Sequence, residues 1–323
     1  MPRYRHALPQ LAGGLFVTDG GIETTLIYQD GLELPSFAAF VLLGHYHGQA
    51  ALTRYFQRYT RIAAQHGTGL VLESPTWRAS RDWGLELGYS ERALADLNRE
   101  AMGLLAEIRD VQPQSVGPIV LSGTIGPRGD GYVPEKRMST MEAAEYHAAQ
   151  VATFAKTEAD MVSAFTINYT EEAIGIALAG RVYGLRSVIS FTVETDGRLP
   201  TGETLQSAIE RTDDATGGSP AYYMINCAHP THFAHTLTRG APWVSRIRGV
   251  RANASRMSHA ELNEATTLDE GNPEELGGEY AGLDTLLPGL CVIGGCCGTD
   301  HRHVEAMVRA VKPAAPAIHR YVA

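Results

Sequence analysis

The sequence predicts a single (β/α)8 barrel of the α/β class, on three observations. Short apolar runs alternate with longer helical patterns along the chain, the order of a parallel sheet with helical crossovers. Eight such runs are present, and no linker or low-complexity stretch is long enough to split them, so residues 1–323 read as one domain. Several runs end in residues that carry chemistry (Asp19, Glu73, Cys227, Cys296), and the carboxyl ends of the strands are where such barrels place their sites.

Taken in order, the first run is Leu15 to Thr18, closed by Asp19-Gly20-Gly21 and followed by a helical pattern through Leu52 to Ala64. Leu70 to Ser74 is the second strand, and Glu91 to Val111 the helix behind it, with Ser90 as its N-cap. Pro118 to Gly123 is the third strand, and Ser139 to Ala159 a helix opened by the capping box Ser139-x-x-Glu142. Gly126-Pro127-Arg128-Gly129 between them reads first as a turn, although Arg128 offers a charge for an anion. Met161 to Ile167 and Ser187 to Val193 are strands four and five, separated by a helix through Ile174 and Leu178. A helix from about Thr204 to Asp213 leads to strand six, which ends at Cys227, and Thr231 to Thr238 is the next helix. Ile247 to Ala252 is strand seven, and a polar stretch rich in Glu and Gly (residues 261–279) precedes strand eight, which ends at Cys296. Asp300 to Val311 is the last helix, and a Pro/Ala tail from about residue 312 to 323 is expected to be loosely held.

Cys296 and Cys297 are adjacent at a strand-to-helix junction. Consecutive Cα atoms are about 3.8 Å apart, whereas a relaxed disulfide wants roughly 4.4 to 6.8 Å, so the two are better placed to share a metal than to pair. Cys227 ends strand six, one neighbour away from strand eight, so all three thiols converge on one rim. Three thiolates on a zinc ion leave one position open, the arrangement of a catalytic site. Cys291, at the start of its strand, belongs to the opposite end and to the core. Histidines crowd these segments (His229, His232, His235, His301, His303), and His229 is the first among them as an alternative ligand.

Composition excludes several classes. The apolar and charged fractions, 44% and 20%, are those of an ordinary globular protein, and 27 basic against 36 acidic residues give a net charge of −9, with no basic patch for nucleic acid. No stretch approaches the roughly 20 apolar residues that span a bilayer, and Met1 to His6 lacks a signal-peptide apolar region. These features predict a cytoplasmic protein whose cysteines stay reduced, with neither nucleic acid nor membrane as partner. The oligomeric state is not legible. The Gly-rich segments lack the spacing and Lys of a phosphate loop.

Asp19-Gly20-Gly21, Asn226-Cys227 and Gly294-Gly295-Cys296-Cys297-Gly298-Thr299 resemble the zinc-dependent homocysteine S-methyltransferase family, which includes the betaine:homocysteine and S-methylmethionine:homocysteine enzymes. The likeness runs from about Leu15 to Val308. It implies a barrel whose Cys227, Cys296 and Cys297 bind Zn2+, and methyl transfer from a sulfonium or quaternary ammonium donor (S-methylmethionine, S-adenosylmethionine or betaine) to the thiol of homocysteine, giving methionine. A thiol on zinc is deprotonated at neutral pH and can attack a methyl group whose leaving group departs neutral.

The resemblance also implies a substrate pocket made by Asp19 for the ammonium, Gly20 and Gly21 for close backbone approach, Asn226 beside Cys227, and Ser74, Trp77 and Arg78 after strand two. Trp77 offers an aromatic face to a cationic donor. One position departs from the pattern: where many relatives carry an acid before Thr-Ile in strand four, this chain has Phe165. Either Glu73 takes the place of that acid, or the thiol acceptor or donor differs, a selenol included. Two rival readings are a non-catalytic zinc-binding or thiol-sensing barrel and a dithiol oxidoreductase using Cys296 and Cys297.

Overall fold

Eight parallel strands close on themselves in sequence order, each hydrogen-bonded to its chain neighbour and β8 to β1. The computed structural model describes residues 1–113, 115–135 and 137–312. The strands are β1 (Phe16–Val17), β2 (Gly69–Glu73), β3 (Ile119–Ile125), β4 (Met161–Ile167), β5 (Arg186–Phe191), β6 (Tyr222–Asn226), β7 (Ile247–Ala252) and β8 (Val292–Gly295). All eight predicted runs are therefore strands. Their near-continuous burial reflects helices packed outside and side chains filling the inside, which is why they read as unbroken apolar runs.

The helices follow their local signals. Tyr46–His66 ends at Gly67 in the left-handed region, and Glu91–Asp110 begins at Ser90, whose side chain accepts from Ala93 N. Thr140–Ala155 opens with the predicted capping box of Ser139 and Glu142. Thr170–Val182 and Leu205–Thr216 follow β4 and β5.

Three segments differ from expectation. The helix expected over residues 231–238 is only one turn, Pro230–Phe233, continued by a 3-10 turn at Ala234–Thr236. Inside the stretch read as polar, Pro273–Leu286 is a full helix, capped by Asn272 and started by Pro273. Its three internal glycines hide the pattern, yet Leu276, Tyr280 and Leu283 are buried at helical spacing. Beyond β1, residues 22–29 form a helical turn widening into a π-type turn that the run Asp19-Gly20-Gly21 did not announce. His301–Val311 is the last helix, and Lys312 reaches the carbonyls of His66 and Gly67. The rest of the predicted tail lies outside the described residues. No described helix is long and apolar enough to cross a membrane.

Register decides what meets at the carboxyl rim. Arg251 on β7 pairs with Asn226 on β6 and Gly294 on β8, so it lies between the two strands that carry the cysteines, one step below them. Cys291 lies buried at the other end of β8, its thiol donating to Arg248 O at 3.5 Å, as its position in the sequence predicts.

Candidate metal centre

Cys227 follows β6 and Cys296 and Cys297 follow β8, and their three Sγ atoms lie within 4.8 Å of one another. Among the described residues, no other group of His, Cys, Asp or Glu side chains converges in this way. The donor set fits a zinc ion: three soft thiolates at one point, from two strand ends, with no carboxylate or imidazole in the group. The sulfurs of Cys227 and Cys296 stand in contact across the two strand ends, with Cys297 beside them and half-buried. The Cα atoms of Cys227 and Cys296 are 5.4 Å apart, inside the disulfide range that the adjacent pair Cys296 and Cys297 misses. Side chains aimed at one point from two strands meet each other there.

The backbone that aims the cysteines is strained. Thr166 and Cys227 have φ of 61° and 54°, left-handed values that β-branched and other non-glycine residues avoid. A side-chain clamp holds both. Asn226 Oδ1 accepts from Thr166 N at 2.9 Å and from Ser190 Oγ at 2.6 Å, and Asn226 Nδ2 donates to Thr166 Oγ1 at 3.0 Å. The Thr166 hydroxyl in turn points at Cys227 Sγ (3.8 Å), and Asn226 Nδ2 at Cys296 Sγ (4.0 Å). Outer-shell donors of this kind orient ligand atoms. Asn226, expected beside the substrate, is thus the hub of the clamp.

The other expected residues divide into those at the sulfurs and those turned inward. Gly20 and Gly21 lie against the double-cysteine loop: a Cβ on Gly21 would stand 2.5 Å from Cys296 O, and one on Gly20 2.8 Å from Thr299 O. Their close approach is to this loop. Asp19 is buried and pairs with Arg251 Nη2 at 2.7 Å while accepting from Tyr55 OH at 2.9 Å. Burial raises its pKa against the pull of Arg251 and Tyr55. Arg251 also donates to the carbonyls of Gly295 (3.0 Å) and Gly20 (3.1 Å), and its Cζ lies 4.8 Å from the Phe165 ring. The position expected for an acid thus presents an aromatic face, and that face is taken by a cation.

Glu73 does not reach the rim in place of that acid. Its Oε1 accepts from Ser163 and its Oε2 from Thr124, at 3.1 and 3.3 Å inside the barrel, and burial pushes its carboxyl up to about 7. Ser74 is used in the sheet, accepting from Thr124 N and sharing a hydrogen bond with Thr76. Arg78 is sandwiched between indoles, its Cζ 3.9 Å from Trp77 and 3.6 Å from Trp83. Trp77 therefore already holds a cation on one face, and its Nε1 donates to Phe165 O. Burial lowers Arg78 to about 10.

The histidines take other work. His229 Nδ1 caps its helix through Thr231, and burial lowers the ring to about 4. His232 meets Arg256 O, and His303 caps Asp300. Arg128 pairs with Asp82 at 2.7 Å. Sequence reasoning missed His259, whose Nε2 lies 2.6 Å from Cys227 O and whose ring stacks on Tyr132 at 4.0 Å. It also missed Tyr132 beside Cys297, together with Arg251, Thr166 and Glu23. Burial pushes the Cys297 thiol up to about 11, with the charge of Glu23 acting in the same direction.

Residues 16–311 match the family described as homocysteine S-methyltransferase. Three structures of the homocysteine methyltransferase MmuM from Escherichia coli are similar in fold. The metallated form has 18% identity over 92% of this chain and 96% of its own, with a TM-score of 0.67. The oxidized form has 19% identity over 91% and 94%, with 0.68, and the apo form 18% over 92% and 96%, with 0.62. Among curated proteins none matches the chain.

Proposed function

Because the chain belongs to the homocysteine S-methyltransferase family, and is by that membership a thiol S-methyltransferase, we propose that it moves a methyl group from a sulfonium or quaternary ammonium donor to homocysteine or a close analogue. Cys227, Cys296 and Cys297, in their reduced state, would hold a zinc ion, with residues 1–323 acting as one domain. The convergence of the three Sγ atoms within 4.8 Å carries this reading. When bound, zinc supplies the Lewis acidity that keeps an acceptor thiol deprotonated at neutral pH.

The chain's own residues do the rest. Thr166 and Asn226 orient the sulfurs of Cys227 and Cys296, and His259 fixes the Cys227 carbonyl. Arg251, neutralised by Asp19 and faced by Phe165, floors the site and excludes water from beneath the sulfurs. The acceptor sulfur then attacks the methyl carbon in line. A C–S bond forms as the bond from that carbon to the donor heteroatom breaks, and the heteroatom leaves neutral with the bonding pair. No acid or base acts on the donor, so placement against the methyl group is what the protein supplies.

Reduced, zinc-loaded protein incubated with homocysteine and S-methylmethionine, S-adenosylmethionine or betaine is expected to form methionine with one of the three. Absence of methionine with all three donors, with one zinc retained per chain, would refute homocysteine as acceptor. Phe165 then favours a second reading, an analogue such as a selenol.

A further inference from the structure

An amino-acid acceptor brings an ammonium group that needs a carboxylate, and the rim leaves few acids free. Asp19 is held by Arg251 and Tyr55. Glu73 is held by Ser163 and Thr124, and Asp300 by Arg302 and Gln29. Position 165 is an aromatic ring on Arg251. Glu23 is different: among the described residues no side chain bonds it, and its hydrogen bond is to its own backbone.

Its neighbours in the chain fix where it lies. Gly21 packs on the Cys296 carbonyl, and Thr24 Oγ1 accepts from Gly298 N at 3.2 Å, so the turn bearing Glu23 is stapled to the double-cysteine loop. Glu23 is half-buried there, close enough for its charge to act on Cys297, Asp19 and Arg251. The acids Asp19, Glu23 and Glu73 outnumber Arg251 and Arg78 around the site, so a ligand that adds only negative charge is disfavoured. An ammonium beside Glu23 offsets it.

We propose that Glu23 binds the α-ammonium of the acceptor, which makes the preferred acceptor a thiol amino acid and excludes thiols that carry a carboxylate alone. The assignment rests on the thiol methyl-transfer reading above. It moves ammonium recognition off β1 and β4 and onto the turn after β1, which accounts for Phe165 without a change of acceptor class.

The test titrates reduced, cobalt-loaded protein with homocysteine and with 4-mercaptobutyrate, which keeps thiol and carboxylate but lacks the ammonium. Sulfur-to-cobalt absorption reports binding without turnover. Wild type is expected to bind homocysteine about 10- to 100-fold more tightly, the range of a charge-assisted hydrogen bond. Glu23→Gln, with its metal content unchanged, is expected to bring the two affinities together, and Glu23→Asp to keep part of the gap. Equal affinities in wild type, or an undiminished gap in Glu23→Gln, overturn the assignment. So does a Glu23→Gln enzyme whose KM rises for the onium donor alone. Wild-type protein that holds cobalt yet binds neither thiol refutes the methyl-transfer reading itself, and the assignment with it.

Discussion

Arg251 is the residue on which the interior of the site depends. Its guanidinium meets Asp19, two carbonyls and the Phe165 ring, with the side chain 8% exposed and that of Asp19 5%. Removing one member of such a pair leaves a buried, uncompensated charge, so Arg251→Met is expected to cost about 3–5 kcal/mol in urea unfolding. Adding Asp19→Asn to that variant should recover a large part of the loss, because it removes the stranded carboxylate. An equal loss in single and double variants would show that packing, and not charge, is what Arg251 contributes. This pair also shows where legibility ended at the level of side chains. Cys296 and Cys297 announced themselves because adjacent thiols at a strand end have few other uses. An ion pair between residues 19 and 251 depends on the register of β1, β8 and β7, which no local pattern encodes. Trp77 illustrates the same limit: its aromatic face was legible, but not that Arg78, the next residue, folds back onto it.

Among the elements, the helix Pro273–Leu286 was hidden by its glycines and acids, yet it braces the site. Tyr280 OH accepts from Ala252 N at 2.9 Å and donates to Gly294 O at 2.6 Å, bridging the ends of β7 and β8. Tyr280→Phe leaves those buried backbone groups short of a partner and is expected to cost about 1–3 kcal/mol, measured by chemical unfolding. The eight strands were legible because burial on both faces makes them continuous apolar runs, and the capped helices because Ser90 and Ser139 mark their starts. The last helix offers a pH test. Burial opposes ionisation of Asp300, but hydrogen bonds from the Arg302 side chain and backbone N–H and from Gln29 outweigh it and hold the carboxyl well below the usual range. A depressed folded pKa contributes stability that is fully present above the unfolded value of about 3.9 and lost as pH falls toward the folded one. Asp300→Asn should therefore be less stable than wild type at pH 7, with the gap closing as pH drops below about 4. A gap that stays constant across that window would mean that Asp300 acts through packing alone.

At the scale of the molecule, the contacts that close the barrel between β1 and β8 also hold the loop that carries Cys296 and Cys297. β1 has two residues, paired to β2 on one side and β8 on the other, and the chain after it is held by the contacts of Gly20, Gly21 and Thr24 with residues 296–299. An ion held by Cys227, Cys296 and Cys297 would tie β6 to β8 across β7 and fix the loop on which that closure rests. Because the unfolded chain cannot present three cysteines from two distant segments at one point, metal binding should stabilise the folded state by mass action. Free zinc at about a thousand times its Kd contributes roughly 4 kcal/mol. Scaling the usual unfolding entropy per residue to a chain of 323 residues gives a rise in Tm of about 6 °C. Reduced wild type should show that rise on zinc addition and lose it to a chelator, whereas Cys297→Ser, with the loop kept but one sulfur removed, should show most of it gone. Cys291→Ser, at the far end of β8, should respond to zinc as wild type does. An equal zinc response in Cys297→Ser and wild type would place the ion elsewhere and separate barrel closure from the chemistry.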